Sequence, residues 1–204
     1  MIDDLAFNET LRVIYQRRSI RQFEERPVAD ALIRMVLDAA NQAPSAHNQQ
    51  SWKFIIVRDE RKQQLARLVT ARAADFPKPL SSILRMAARS IGSAAVVVAA
   101  MNTGALIAHG RELFKIEPGL AADFFRTMEI QSSAAAMENL LLAATSLGLG
   151  SVWLGVLFLI KNEILAFLGE KEGEFMAVIP LGYPLRSRPS GPRKRSLEYV
   201  VEGL

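Results

Sequence analysis

Apolar positions recur at helical spacing through the first part of the chain, then condense into short apolar runs. Residues 5–18 place Leu5, Leu11, Ile14 and Tyr15 at roughly helical intervals, predicting an opening helix. Pro27 begins a second, with Leu32, Ile33, Val36, Leu37 and Ala40 on one face, and Pro44 closes it because the residue before proline avoids helical geometry. Residues 53–57 form a short apolar, β-branched run that reads as a buried strand. A charged helix over 60–75 follows, broken by Pro77 and Pro79, then a helix over 80–90 and a central strand over 94–101. Gly104, Gly110 and Pro118 mark 102–118 as a loop or lid. Residues 121–147 hold one long apolar-faced helix, or two, stopped by Gly148 and Gly150. A third strand is expected over 151–157, a short helix over 162–167 and a fourth strand over 176–181. The basic tail ends in an apolar stretch, 197–201, suited to an edge strand.

Strands and helices alternate irregularly and helix dominates, which predicts an α+β sandwich of three layers rather than a regular βαβ array. No repeat or low-complexity tract interrupts the 204 residues, a length that favours one domain spanning 1–204. With no cysteine, disulfides, thiolate catalysis and zinc–thiolate sites are excluded, and two histidines make a histidine metal site a poor reading. The net charge of +4 is small and many basic residues sit beside acids, so nucleic acid is not the expected partner. Met1, Ile2, Asp3 and Asp4 lack the features of a secretory leader, and the run 94–101 is far short of the ~20 residues that span a bilayer. The expectation is a soluble cytoplasmic protein with no membrane partner.

Two polar clusters carry candidate chemistry. Arg17, Arg18, Ser19 and Arg21 set three guanidinium groups and a hydroxyl within five positions. Guanidinium forks match phosphate oxygens bidentately; a solvated basic helix end answers to the same residues. Residues 44–52 are rich in amides and hydroxyls, which serve either a neutral polar ligand or an ordinary helix-to-strand loop. Gly148 and Gly150 precede a strand instead of following one, so they are no dinucleotide fingerprint. His109 reads as a surface loop residue, and Asp123, Glu129 and Glu138 show no paired-carboxylate logic.

In this order and spacing the two clusters resemble the FMN-dependent nitroreductase family. Its signature Arg-Arg-Ser-x-Arg-x-Phe matches Arg17 to Phe23 position for position. Its second pattern matches Pro44, Ser45, Asn48, Gln50 and Trp52, but Ser51 stands where proline is usual, and His47 falls where the family varies. The resemblance implies an obligate homodimer with two FMN sites at the interface. Arg17 and Ser19 would hold the phosphate, Arg18 would belong to the same cofactor site, and Arg21 would face the N1/O2 edge of the ring, where a fixed guanidinium stabilises reduced flavin. Pro44, Ser45, Ala46, Asn48 and Gln50 of the other subunit would cover the ring. A backbone N–H of Leu154, Gly155 or Val156 would meet N5, and Arg195, with Arg193 next, would fold back on the phosphate. Also implied is ping-pong chemistry, NADH or NADPH giving hydride to FMN and a nitroaromatic, quinone or similar acceptor removing it. A flavin-fragmenting activity and a binding protein without turnover are the alternatives. The lid contains no tyrosine, which argues against deiodination.

Overall fold

The computed structural model describes residues 8–114, 117–186 and 194–202. Four strands form one sheet in the order β1-β2-β4-β3, with β1 Trp52–Val57, β2 Val96–Asn102, β3 Gly150–Ser151 and β4 Glu174–Gly182. Each neighbouring pair is antiparallel: Trp52 opposes Asn102, Val98 opposes Ile179 and Gly150 opposes Gly182.

The central strand β2 is buried on both faces, and its alternation separates two helical layers. Val97, Ala99 and Met101 face α3 (Asp59–Arg72), α4 (Leu80–Ser93) and α7 (Lys161–Leu168) through Leu65, Leu84, Ile91 and Ile164. Val96, Val98 and Ala100 face α2 (Asp30–Asn41) and α6 (Pro118–Ser146) through Val36, Met137, Leu140 and Ala144. In β4 the pairing slips by one residue at Met176. Met176 and Ala177 therefore share the α2/α6 side, while Phe175 and Val178 both reach the other core. The three-layer α/β/α sandwich expected from the sequence is the fold observed.

Several local expectations are corrected. Residues 102–118 are not a loop: α5, Ala105–Leu113, lies there, antiparallel neighbour to the start of α6. The strand expected over 151–157 is only the two residues of β3, followed by a 3-10 segment, Gly155–Ile160. Residues Leu197–Tyr199 form a 3-10 turn, not an edge strand. The described part of the first helix, α1, is Glu9–Gln16; it buries Val13 and leaves Leu11, Ile14 and Tyr15 facing outward. The 121–147 region is a single helix of 29 residues, about 43 Å long at 1.5 Å per residue.

Candidate functional site

α1 ends at Gln16 and the chain turns to extended structure, running beside β3 as a parallel bridge between Ser19 and Ser151. The Ile20 N–H donates to Ser151 O at 2.9 Å. Along this segment Ile20 and Phe23 are buried, while Ser19, Arg21 and Gln22 are exposed. What lets the strand lie so close is Gly150. A Cβ there would stand 2.8 Å from Ile20 Cβ. Gly148, at φ +75, takes the left-handed position after α6, with Leu149 N–H returning to Ala144 O at 2.8 Å and Gly148 N–H to Thr145 O at 3.1 Å. One glycine ends the helix and the next admits the Arg-rich segment.

That segment opens onto a cavity of about 810 Å3, within the roughly 300–1,000 Å3 typical of small-molecule sites. Ser19, Arg21 and Phe23 form one wall, and Met86, Arg89 and Ser93 of α4 another; Arg186 closes an end. Among the described residues three guanidinium groups and no carboxylate line this space, a lining whose charge suits an anion carried on an apolar body. The three α4 residues carry no motif in the sequence. α4 carries four serines and two arginines, so composition does not single out Arg89 or Ser93, and only topology brings them beside Arg21.

The other arginines differ in employment. Arg18 folds back on α1, donating to Tyr15 O at 2.7 Å and to Arg17 O at 2.8 Å, so it caps the helix C-terminus. Arg17 reaches Glu138 of α6 with Nε at 3.5 Å, a partly exposed pair. Among the described residues, Arg21 makes one long contact, 3.4 Å, to Ser19 O. Arg195 is exposed, and Arg193 lies outside the described residues.

Leu154 is buried, and its N–H donates to Val178 O at 3.0 Å. Of the three backbone donors expected near it, this one is already engaged. Gly155 and Val156 open the 3-10 segment, where N–H groups have no intrahelical acceptor. A Cβ on Gly155 would meet only the Trp153 ring, at 3.4 Å, so packing within the chain does not explain the glycine.

Residues 44–52 bind themselves into a tight turn. Ser45 Oγ accepts from Gln50 N–H at 3.0 Å, Gln50 Nε2 donates to Asn48 Oδ1 at 3.0 Å, and Ala46 N–H donates to Ser132 Oγ of α6 at 3.2 Å. His47, Asn48 and Gln50 all hold φ near +50. Left-handed backbone at three non-glycine residues in four is strain of the kind kept at functional sites. Pro44 is exposed at the turn's entrance.

Ser51, the departure from the family pattern, is buried and has a specific use. Its carbonyl accepts from Thr103 N–H at 3.0 Å and its hydroxyl bonds Glu129. Glu129 is 1% exposed and accepts from Leu106 N–H at 2.9 Å, and from the N–H groups of Gly104 and Ile107. Burial pushes its carboxyl above the usual range, and these hydrogen bonds pull it partly back. The acid satisfies the first N–H groups of α5 from the side and ties that helix to the 44–52 turn.

The two clusters do not meet within one chain. The Arg-rich segment borders β3, one edge of the sheet, near the Val96 end of β2; the 44–52 turn feeds β1, the opposite edge, at the Asn102 end. Four inter-strand steps, the last from β3 to the segment itself, and about six residues along a strand separate them by roughly 19 Å in one direction and 20 Å in the other.

The sequence profile described as the nitroreductase family matches residues 14–183. A protein of Archaeoglobus fulgidus, provisionally named NADH dehydrogenase/NAD(P)H nitroreductase, is 37% identical over 181 residues, covering 86% of each chain. Among solved structures, a provisionally named nitroreductase of Desulfovibrio desulfuricans in complex with FMN is 28% identical with a TM-score of 0.70, covering 98% of this chain and 99% of that one. A BluB-like flavoprotein of Clostridium difficile is 26% identical with a TM-score of 0.75, covering 97% and 100%.

Proposed function

The chain belongs to the nitroreductase family, and from that membership we propose that it is an FMN-dependent oxidoreductase of the cytoplasm, oxidising NADH or NADPH and reducing nitroaromatics, quinones or similar acceptors. One observation carries the proposal: Ser19, Arg21, Arg89 and Arg186 converge on a single cavity of about 810 Å3 where the Arg-rich segment joins the sheet.

The residues fit the cofactor. Arg17, Ser19 and Arg195 would hold the phosphate, and Arg21 would face the pyrimidine edge, with Arg89 lining the same cavity. Arg18, engaged with α1, shapes the segment and adds charge without direct contact. The N–H of Gly155 or Val156 would serve as the backbone donor to the ring. FMN, when bound, supplies two-electron acceptance from nicotinamide and delivery to the acceptor. The protein's part is position and charge: guanidinium groups held in place before reaction stabilise the negative charge of the reduced state, and the cavity walls fix the distance between donor and ring.

The sheet-wide separation of the clusters supports a homodimer, with Ser45, Ala46, Asn48 and Gln50 of one protomer closing the site of its partner. Leu11 and Ile14 on α1, and Leu120 and Phe124 on α6, are apolar and exposed in the single chain, surface that a dimer would cover. The likeness to a BluB-like flavoprotein favours one second reading, in which the bound flavin is itself consumed.

The test is the visible spectrum of the purified protein, before and after anaerobic NADH or NADPH. A yellow protein that bleaches, and recovers full colour when a quinone is added, supports the reductase. Bleaching followed by permanent loss of flavin on admission of air supports consumption. Colour that persists with both nicotinamides indicates binding without turnover, and a protein that cannot be loaded with FMN removes the proposal.

A further inference from the structure

His47 and His109 are the chain's only histidines, and the fold brings them together. Their ring centroids are 5.7 Å apart at 75°, edge to face. His47 also meets Phe114 edge to face at 5.7 Å, and Phe114 packs on Phe125 at 5.6 Å. His47 is exposed and His109 half-buried, so an aromatic wall ends in an open imidazole.

We propose that this pair is the acceptor-recognition element, the His47 imidazole N–H donating a hydrogen bond to an oxygen of a flat, oxygen-bearing aromatic acceptor such as a quinone or nitroarene. The role rests on FMN binding as proposed above, which places the 44–52 turn of one protomer over the flavin of its partner. His109 is a positioning residue: it fixes the His47 ring and does not itself reach the acceptor.

Four features fix the pair before any ligand arrives. His47 sits at φ +53, in a turn held by Ser45 and by Ser132. Ala46 packs against the cluster of Leu106, Ala121 and Phe125, between α5 and α6. Glu129 bonds both Ser51, at the end of the turn, and the first N–H groups of α5, the helix that carries His109. Gly110 lets α5 lie against Phe125, where a Cβ would come within 2.3 Å of the ring. A neutral imidazole offers one N–H and one acceptor nitrogen. A donor held in one direction, at the edge of an aromatic wall, selects ligands with an oxygen at matching height over those with apolar rims.

The experiment uses the oxidised, FMN-loaded dimer with two probes, 1,4-naphthoquinone and naphthalene, binding being read from the flavin absorbance. Imidazole NMR resonances are followed in parallel, and with two histidines both signals are resolvable. His47→Phe keeps the aromatic contacts and removes the donor. It is expected to weaken naphthoquinone by about 3- to 10-fold, the net value of one hydrogen bond, and to leave naphthalene unchanged. His47→Asn, which tolerates positive φ and retains an N–H, should recover most of the loss. His109→Phe should weaken naphthoquinone less. In the parent, the His47 resonance should move on saturation with naphthoquinone and not with naphthalene.

Equal naphthoquinone affinity in His47→Phe and parent, or an unmoved His47 resonance, overturns the inference and leaves the flavin function standing. A parent that takes up no FMN removes both together. If His47→Phe fails to fold, the resonance shift in the parent decides.

Discussion

Replacing Gly150 with alanine tests how the Arg-rich segment is docked. The added Cβ would lie 2.8 Å from both Ile20 Cβ and Cγ2. Carbon contacts settle at roughly 3.5–4.0 Å, so the two segments must part by about 0.7–1.2 Å. Ile20 cannot simply rotate away, because its Cβ is among the crowded atoms and its N–H is bonded to Ser151 O at 2.9 Å. Overpacking of this kind costs about 1–3 kcal/mol, which for a chain of this size lowers the thermal midpoint by roughly 2–12 °C. The same movement carries Ser19 and Arg21, the neighbours of Ile20, away from the cavity they line. FMN affinity should fall by about tenfold, the equivalent of 1.4 kcal/mol of misplaced contacts. Thermal unfolding of the apoprotein and FMN titration by fluorescence quenching read the two effects separately. Gly148→Ala is the control: its Cβ meets nothing within 4 Å but its φ is +75. It should lose about 1–2 kcal/mol to backbone strain and keep its FMN affinity. If Gly150→Ala binds FMN as the parent does, the close approach of Ile20 has no part in shaping the site.

Arg17→Ala should lower stability by less than about 1 kcal/mol, since its pair with Glu138 is partly exposed, yet yield a largely flavin-free protein. Unchanged flavin content after purification would remove Arg17 from the phosphate site. Glu129→Gln should gain stability relative to the parent as pH rises. Burial raises the folded-state pKa above the ordinary 4.5, so the parent has this contribution in full below that pH and loses it as pH climbs through the folded value. Parallel urea-unfolding free energies for the two proteins at pH 4 and pH 8 would contradict it. Sedimentation equilibrium of the FMN-loaded protein should give about twice 22.6 kDa, and a flavin-loaded monomer would refute the composite site.

Legibility followed the strength of local signals. β1 and β2 were readable because their apolar runs are rich in β-branched residues and bounded by polar ones, which tips a short apolar run toward strand. The run after Gly150 misled because a short apolar stretch can equally be a buried helical turn, and Leu157 and Ile160 face the core from a 3-10 segment. α5 was hidden by residues that normally break helices, each with another use here. Gly104 precedes the helix in left-handed geometry, Gly110 lies within it to fit Phe125, and Pro118 opens α6, where no N–H is needed. On α1, helical spacing correctly gave a helix but not its buried side, because Leu11 and Ile14 face outward. The site was half legible. Arg17 to Phe23 form one continuous segment, whereas Met86, Arg89 and Ser93 reach the same cavity only through the packing of α4. Glu129 gave no pattern because its partners are backbone N–H groups on another helix.

The distance between the Arg-rich segment and the 44–52 turn has a consequence for how damage spreads in a population of chains. In the proposed dimer each site takes one cluster from each protomer. A chain altered at Arg17 and a chain altered at Asn48, paired together, would concentrate both lesions in one site and leave the other wholly intact. Two inactive proteins, unfolded and refolded as a mixture, would therefore regain activity that neither has alone, and alleles of these two kinds would complement each other in one cell.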